Sequence, residues 1–163
     1  MRTKKRELLR NELYHRVGEL LAQLGRYDMY ALSLARQIGA YVRRPAFSEV
    51  GISISNRGIG IRRRMVEMNI ESAIQVEFAS IDTSMRTIVD RLVIAAHSGA
   101  TLAFRFEEEC ETNDLNRDWF DPYDLSEIEL SNYINTFERE SLKVVALYIR
   151  LSACSARISQ SVN

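Results

Sequence analysis

Proline and glycine are scarce in this chain. Two prolines and seven glycines among 163 residues leave no material for long linkers or disordered tracts. Cysteine is equally rare. Cys110 and Cys154 form no C-x-x-C pair, which excludes a disulfide framework and the usual zinc spacings. The two lone thiols point to a reducing compartment, hence the cytoplasm, or an assembled virion if the chain is viral. No apolar run approaches the ~18 residues of a membrane span, so no membrane partner is expected. The apolar residues after the charged stretch Met1–Arg6 are interrupted by Glu12, Arg16, Glu19 and Arg26, a pattern that predicts no signal peptide.

Histidine is limited to His15 and His97. Glu12, His15 and Glu19 share a helical face, but a di-iron bundle needs a second E-x-x-H, and Ile94 stands where its glutamate would precede His97. This face reads as solvated i,i+4 charge pairs, and no metal is expected. Asp114, Asn116 and Asp118 begin like a calcium loop. Trp119 then replaces the glycine and Leu125 the bidentate glutamate, so the loop fails. Cys110 lies among Glu107, Glu108, Glu109 and Glu111, which disfavour a thiolate. His97-Ser98 lacks a third, orienting group and reads as a helix end. Phosphate-binding, dinucleotide and nucleophile-elbow motifs are missing too. No catalytic residue and no cofactor can be named, and the balance favours a non-enzyme.

What the chain does have is segregated charge. Lysine plus arginine and aspartate plus glutamate number 22 each, giving a net charge of zero. Yet residues 1–64 hold 14 basic and 5 acidic side chains, and residues 107–140 hold 12 acidic and 2 basic ones.

Along the chain, Leu9, Leu13, Val17, Leu20 and Leu24 step at helical spacing. Gly25 reads as a stop and Asp28 as a new N-cap, with Tyr30, Leu34, Ile38 and Tyr41 on a second helix that Pro45 ends. Residues 1–45 are thus expected to form a helical hairpin. In residues 46–110 the period changes. Ile52 and Ile54, then Ile59 and Ile61, alternate around Ser55-Asn56-Arg57-Gly58, which predicts a β-hairpin over 50–64. Ile74, Val76 and Phe78 predict a strand. A helix capped at Asp82 or Ser84 carries Met85, Ile88, Val89, Leu92, Val93 and Ala96 to Gly99, and Leu102, Phe104 and Phe106 predict another strand. Residues 111–163 comprise an acidic loop and a long helix that starts at a Ser126/Glu129 capping box. Leu130, Ile134, Phe137, Val144, Tyr148 and Leu151 mark its face to about Ala156, ahead of a frayed polar tail from Ser159. The expected fold is one α+β domain: an N-terminal helical hairpin, a small, mostly antiparallel sheet with one packed helix, and a long C-terminal helix.

The basic half supplies candidate nucleic-acid contacts at Arg43, Arg44, Arg57, Arg62, Arg63 and Arg64, since three consecutive arginines on a strand would point to both faces. Ala35 and Gly39 have helix–turn–helix spacing, but no recognition helix follows. The acidic half supplies candidate partner contacts at Glu108, Asp118, Trp119, Asp121 and Tyr123, carboxylates interleaved with good anchoring aromatics. Complementary surfaces on a neutral chain predict a homo-oligomer. The function expected is a non-catalytic, self-assembling structural or adaptor subunit of the viral, phage or connector kind. A small nucleic-acid-binding protein is the alternative.

Overall fold

The computed structural model describes residues 2–40, 50–98 and 126–162. These residues form four helices: α1 Arg2–Gln37, α2 Val50–Glu67, α3 Ser72–Ser98 and α4 Glu127–Val162. No strand occurs among them, so the α+β expectation is overturned: the fold is a helical bundle.

The reason lies in one spacing shared by all four helices. Along α1 and its C-terminal turn Leu13, Val17, Leu20, Leu24, Tyr27, Ala31, Leu34 and Ile38 are buried, alternating steps of four and three, with Ala35 buried beside them. In α4 Leu130, Ile134, Phe137, Ser141, Val144, Leu151 and Ile158 keep the same rhythm, with half-buried Tyr148 filling its place. Ile74, Phe78, Ile81, Met85 and Ile88 repeat it in α3, and Ile54, Gly58, Ile61 and Met65 in α2. A repeat of 3.5 residues is a coiled-coil seam, which buries one narrow stripe per helix against its neighbours.

The β-hairpin expected over 50–64 is therefore helix α2. Its isoleucines alternate locally, but Ile54 and Ile61 are seven apart and both buried, while Ile59 is 44% exposed. The strand expected at 74–78 is the first turn and a half of α3: Ile74 and Phe78 point inward and Val76 is 70% exposed. A short alternating run fits both periods, and packing against neighbouring helices selects the helical one. The helical hairpin over 1–45 is also corrected. Helix α1 runs through Gly25, where an added Cβ would meet nothing within 4 Å, and Asp28 caps nothing. The stop lies at Gly39 (φ 66°), where the amide of Ala40 reaches the carbonyl of Ala35 at 2.8 Å, a Schellman ending. Asn69 (φ 55°) ends α2 in the same way, with Ile70 N–H on Met65 O at 3.0 Å. The capping box holds on its serine side: Ser126 Oγ accepts the Glu129 amide at 3.1 Å. Helix α4 then continues to Val162, past the expected fraying point. Pro45, the strand expected at 102–106 and the acidic loop lie outside the described residues.

Helices α1 and α4, each of 36 residues, are about 54 Å long at 1.5 Å per residue and pack side by side more extensively than any other pair. They are parallel. Lys5 meets Glu127, Arg16 meets Glu138, Arg26 meets Tyr148 and Gln37 meets Ser159, partners 122 residues apart throughout. Arg16 precedes buried Val17 of α1, Gln37 precedes buried Ile38 just past its end, and Glu138 and Ser159 each follow a buried residue of α4, the flanking positions that face each other in a parallel coiled coil. Tyr30 stacks on Tyr148 at 5.6 Å between ring centres. Helix α2 runs the same way as α1, since Arg57 meets Asp28 and Arg64 meets Ile38. Helix α3 returns antiparallel after the tight turn, meeting α4 where Arg150 bonds Glu77 at 2.8 Å. Around the bundle the order is α1, α2, α3, α4, each touching the next and α4 closing on α1. Among the described residues no helix is long and apolar enough to cross a membrane.

Candidate interaction surface

The arginines of α2 do three different jobs. Arg57 is 5% exposed and forks onto Asp28 of α1, Nε to Oδ1 at 2.6 Å and Nη2 to Oδ2 at 3.4 Å. Arg64 donates from Nε to the carbonyl of Ile38 at 2.8 Å, placing a cation on the C-terminal end of α1 where the helix dipole favours it, and also pairs with Glu67. Arg62 turns toward α3. There it shares the carboxylate of Asp82 with Arg86, at 3.6 and 3.2 Å. Arg63 is exposed and has no ion-pair partner among the described residues. Of the six arginines expected to bind nucleic acid, Arg57 and Arg64 thus hold helices together, Arg62 and Arg63 lie on the outer side of α2, and Arg43 and Arg44 fall outside the described residues.

Asp82 is the centre of the α2/α3 seam. It is 1% exposed, and its carboxylate occupies the space beside Gly58 so closely that a Cβ at Gly58 would overlap it. Burial raises the pKa of Asp82, and the nearby Arg86 and Arg62 only partly offset this. Neither carboxylate oxygen receives an aligned hydrogen bond, so both arginines act on it as nearby charges. Two guanidiniums around one carboxylate leave this seam net positive. Beside it, Ile59 and Val66 flank Arg62 and Arg63 on the outer face of α2, 44% and 62% exposed, and Val76 of α3 is 70% exposed. The result is an aliphatic and cationic face around the α2/α3 hairpin.

The opposite seam is different. An open groove of about 370 Å³ between α3 and α4 is lined by Thr83, Ser84, Thr87, Ile88, Lys143, Ala146, Leu147 and Arg150. Its two cations are engaged: Arg150 donates to Glu77 at 2.8 Å and Ser80 at 3.2 Å, and Lys143 pairs with Glu140 at 3.3 Å. The hydrogen bond from Arg150 holds the Glu77 carboxyl below its ordinary range.

Of the chemical candidates, Glu12, His15 and Glu19 form the expected charge ladder, with Arg16 between the two glutamates and His15 on Glu19 at 3.2 Å. No group of three or more potential metal ligands occurs among the described residues. Cys154 is 1% exposed, and burial, followed by the Glu77 carboxylate, pushes its thiol up, away from nucleophilic use. Tyr27, 2% exposed, is likewise raised, by burial first and then by Asp82 and Asp28. Glu108, Asp118, Trp119, Asp121 and Tyr123 lie outside the described residues, as do Cys110 and the aspartates of the calcium-like run. The sequence reading missed the Asp82/Gly58/Arg86 cluster. Its signal is an aspartate inside an otherwise apolar heptad run, in a position that also suits a helix cap.

Comparison with protein-family models, with curated proteins and with solved structures returned no match to this chain.

Proposed function

We propose that this chain is a non-catalytic, self-assembling structural or adaptor subunit that joins copies through its basic and acidic surfaces. The observation carrying this reading is the α2/α3 face, where Arg62 and Arg86 share one buried carboxylate beside exposed Ile59, Val66 and Val76. Exposed aliphatics grouped with incompletely neutralised cations suit an acidic, apolar protein partner. The acidic stretch of the same sequence has that chemistry. The parallel α1/α4 pair supports the reading from another side, since a long, rigid rod holds the two ends of the molecule at a set distance.

The alternative, nucleic-acid binding, loses support because Arg57 and Arg64 are committed to Asp28 and Ile38. Size-exclusion chromatography with light scattering, at low and high salt and up to about 100 μM protein, tests the proposal, since a micromolar complex would be populated there. The expected outcome is a mass above the monomer that falls as salt screens the surface charges. A monomer under every condition would overturn it.

A further inference from the structure

Resting on the self-assembly reading, we infer that the acidic aromatic stretch Asp118–Asp124 of one copy docks on the α2/α3 face of another, so that copies join head to tail. The stretch reads Asp-Trp-Phe-Asp-Pro-Tyr-Asp, three carboxylates with three aromatic rings. The receiving face offers the complement. Arg62 and Arg86 have side chains 47% and 36% exposed, and they share Asp82 between them. Arg63 adds a cation without an ion-pair partner among the described residues. Ile59, Val66 and Val76 supply apolar area on which rings pack, and guanidiniums also stack on aromatic faces.

Geometry selects a second copy as the donor. Helix α4 is tethered to the stretch at Glu127, at the end of the bundle remote from the α2/α3 turn. Arg150, which bonds Glu77 next to Val76, lies about 35 Å along α4 from Glu127 at 1.5 Å per residue. Fully extended, the residues between Trp119 and Glu127 cover at most about 29 Å, and those from Tyr123 about 14 Å. Crossing from α4 to the outer side of α2 adds roughly a further helix spacing of 8–10 Å. Trp119 and Tyr123 therefore fall short of Val66 and Val76 in their own chain, whereas a neighbour's can reach. Donor and acceptor then lie at opposite ends of one rod. The contact is heterologous, so it propagates into a ring or a filament.

The test uses two full-length variants whose substitutions lie outside the packed core. Val66→Asp/Val76→Asp carries a disabled face, and Trp119→Ala/Asp121→Ala a disabled stretch. Each variant alone is expected to lose association at least ten-fold in sedimentation velocity, with the circular dichroism of the wild type retained. Mixed in equal amounts, the two are expected to form a 1:1 dimer, because one intact face still meets one intact stretch. Wild-type assembly that both variants retain, or a mixture that stays monomeric while the wild type assembles, would overturn the docking inference and leave self-assembly standing. A wild type that never assembles would overturn both. A face that captures its own chain's stretch would give compact monomers and no complementation, which also counts against the inference. Arg63→Glu is expected to weaken association, and Asp121→Arg added to it to restore a measurable part.

Discussion

Gly58 and Asp82 form the closest contact between α2 and α3 that a glycine makes possible. Beside Asn56, glycine has the chemistry of a turn, and aspartate before Ser84 has the chemistry of a cap. In the bundle Gly58 occupies a core position of α2, and the Asp82 carboxylate takes the space a side chain would need. Such overlap typically costs 1–3 kcal/mol when a methyl is inserted. Asp82 is also a charge held at a cost. Because its folded pKa is raised, the folded protein binds the proton more tightly than the unfolded chain. Stability from this group is therefore greatest below the ordinary carboxylate range, and is lost as pH rises through the raised folded value. In Asp82→Asn that loss is absent. Urea unfolding between about pH 3 and about pH 7 should show wild-type stability declining relative to Asp82→Asn across that window and levelling above it. Parallel curves would refute the assignment. The charged and titratable groups facing Asp82 are Arg62 of α2, Arg86 of its own helix and Tyr27 of α1.

Among elements, α2 depends most on its neighbours. It is the shortest of the four helices, at 18 residues, and carries glycines, serines and β-branched isoleucines that favour helix poorly. Its place is held by Ile54, Ile61 and Met65 in the core, and by Arg57 and Arg64 on α1. Removing one partner of a buried ion pair leaves the other charge uncompensated, at about 3–5 kcal/mol. Because Asp28 retains a side-chain exposure of 29%, Asp28→Ala should fall near the lower end, about 3 kcal/mol, measured by urea denaturation. The joint replacement Arg57→Met/Asp28→Leu should recover most of that loss. If it does not, the pair contributes more than its own desolvation. Helix α4 needed no such help to be read: Ser126, Glu129 and the heptad from Leu130 to Leu151 announce it. The same heptad in α1 is legible in residues 9–24, and its continuation is hidden by Gly25, a position where no close contact requires glycine and which the packing of the rest of α1 carries at about 1 kcal/mol.

In the whole molecule, the parallel α1/α4 pair is the backbone onto which the α2/α3 hairpin closes. Cys154 sits where these layers meet, fully covered and facing Glu77 and Tyr27. In a Cys110→Ser background its thiol should react with a soluble disulfide reagent only at the rate of opening of the bundle, so labelling and urea unfolding should report one transition. Rapid labelling of the folded protein would mean that α4 detaches from α3 independently. The charge layout also takes a different meaning at this scale. Part of the basic excess of the first 64 residues is used inside the molecule, by Arg16 on glutamates, Arg57 on Asp28 and Arg64 on Ile38. Arg62 and Arg63 stay exposed on the α2 side of the α2/α3 hairpin.

The scarcity of histidine and cysteine, the segregation of charge, and the beginning and apolar face of α4 are legible in the residues themselves. These properties belong to residue identity, or to spacing within one element, and need no partner to be read. That residues 50–64 and 74–78 are helical follows from packing, because a run of alternating isoleucines satisfies either period until neighbouring helices bury one stripe of it. Packing also decides which arginines face inward. A guanidinium looks the same in a sequence whether it forks onto Asp28 or stands in solvent, and only the crossing of α2 with α1 and α3 separates Arg57 and Arg64 from Arg62 and Arg63.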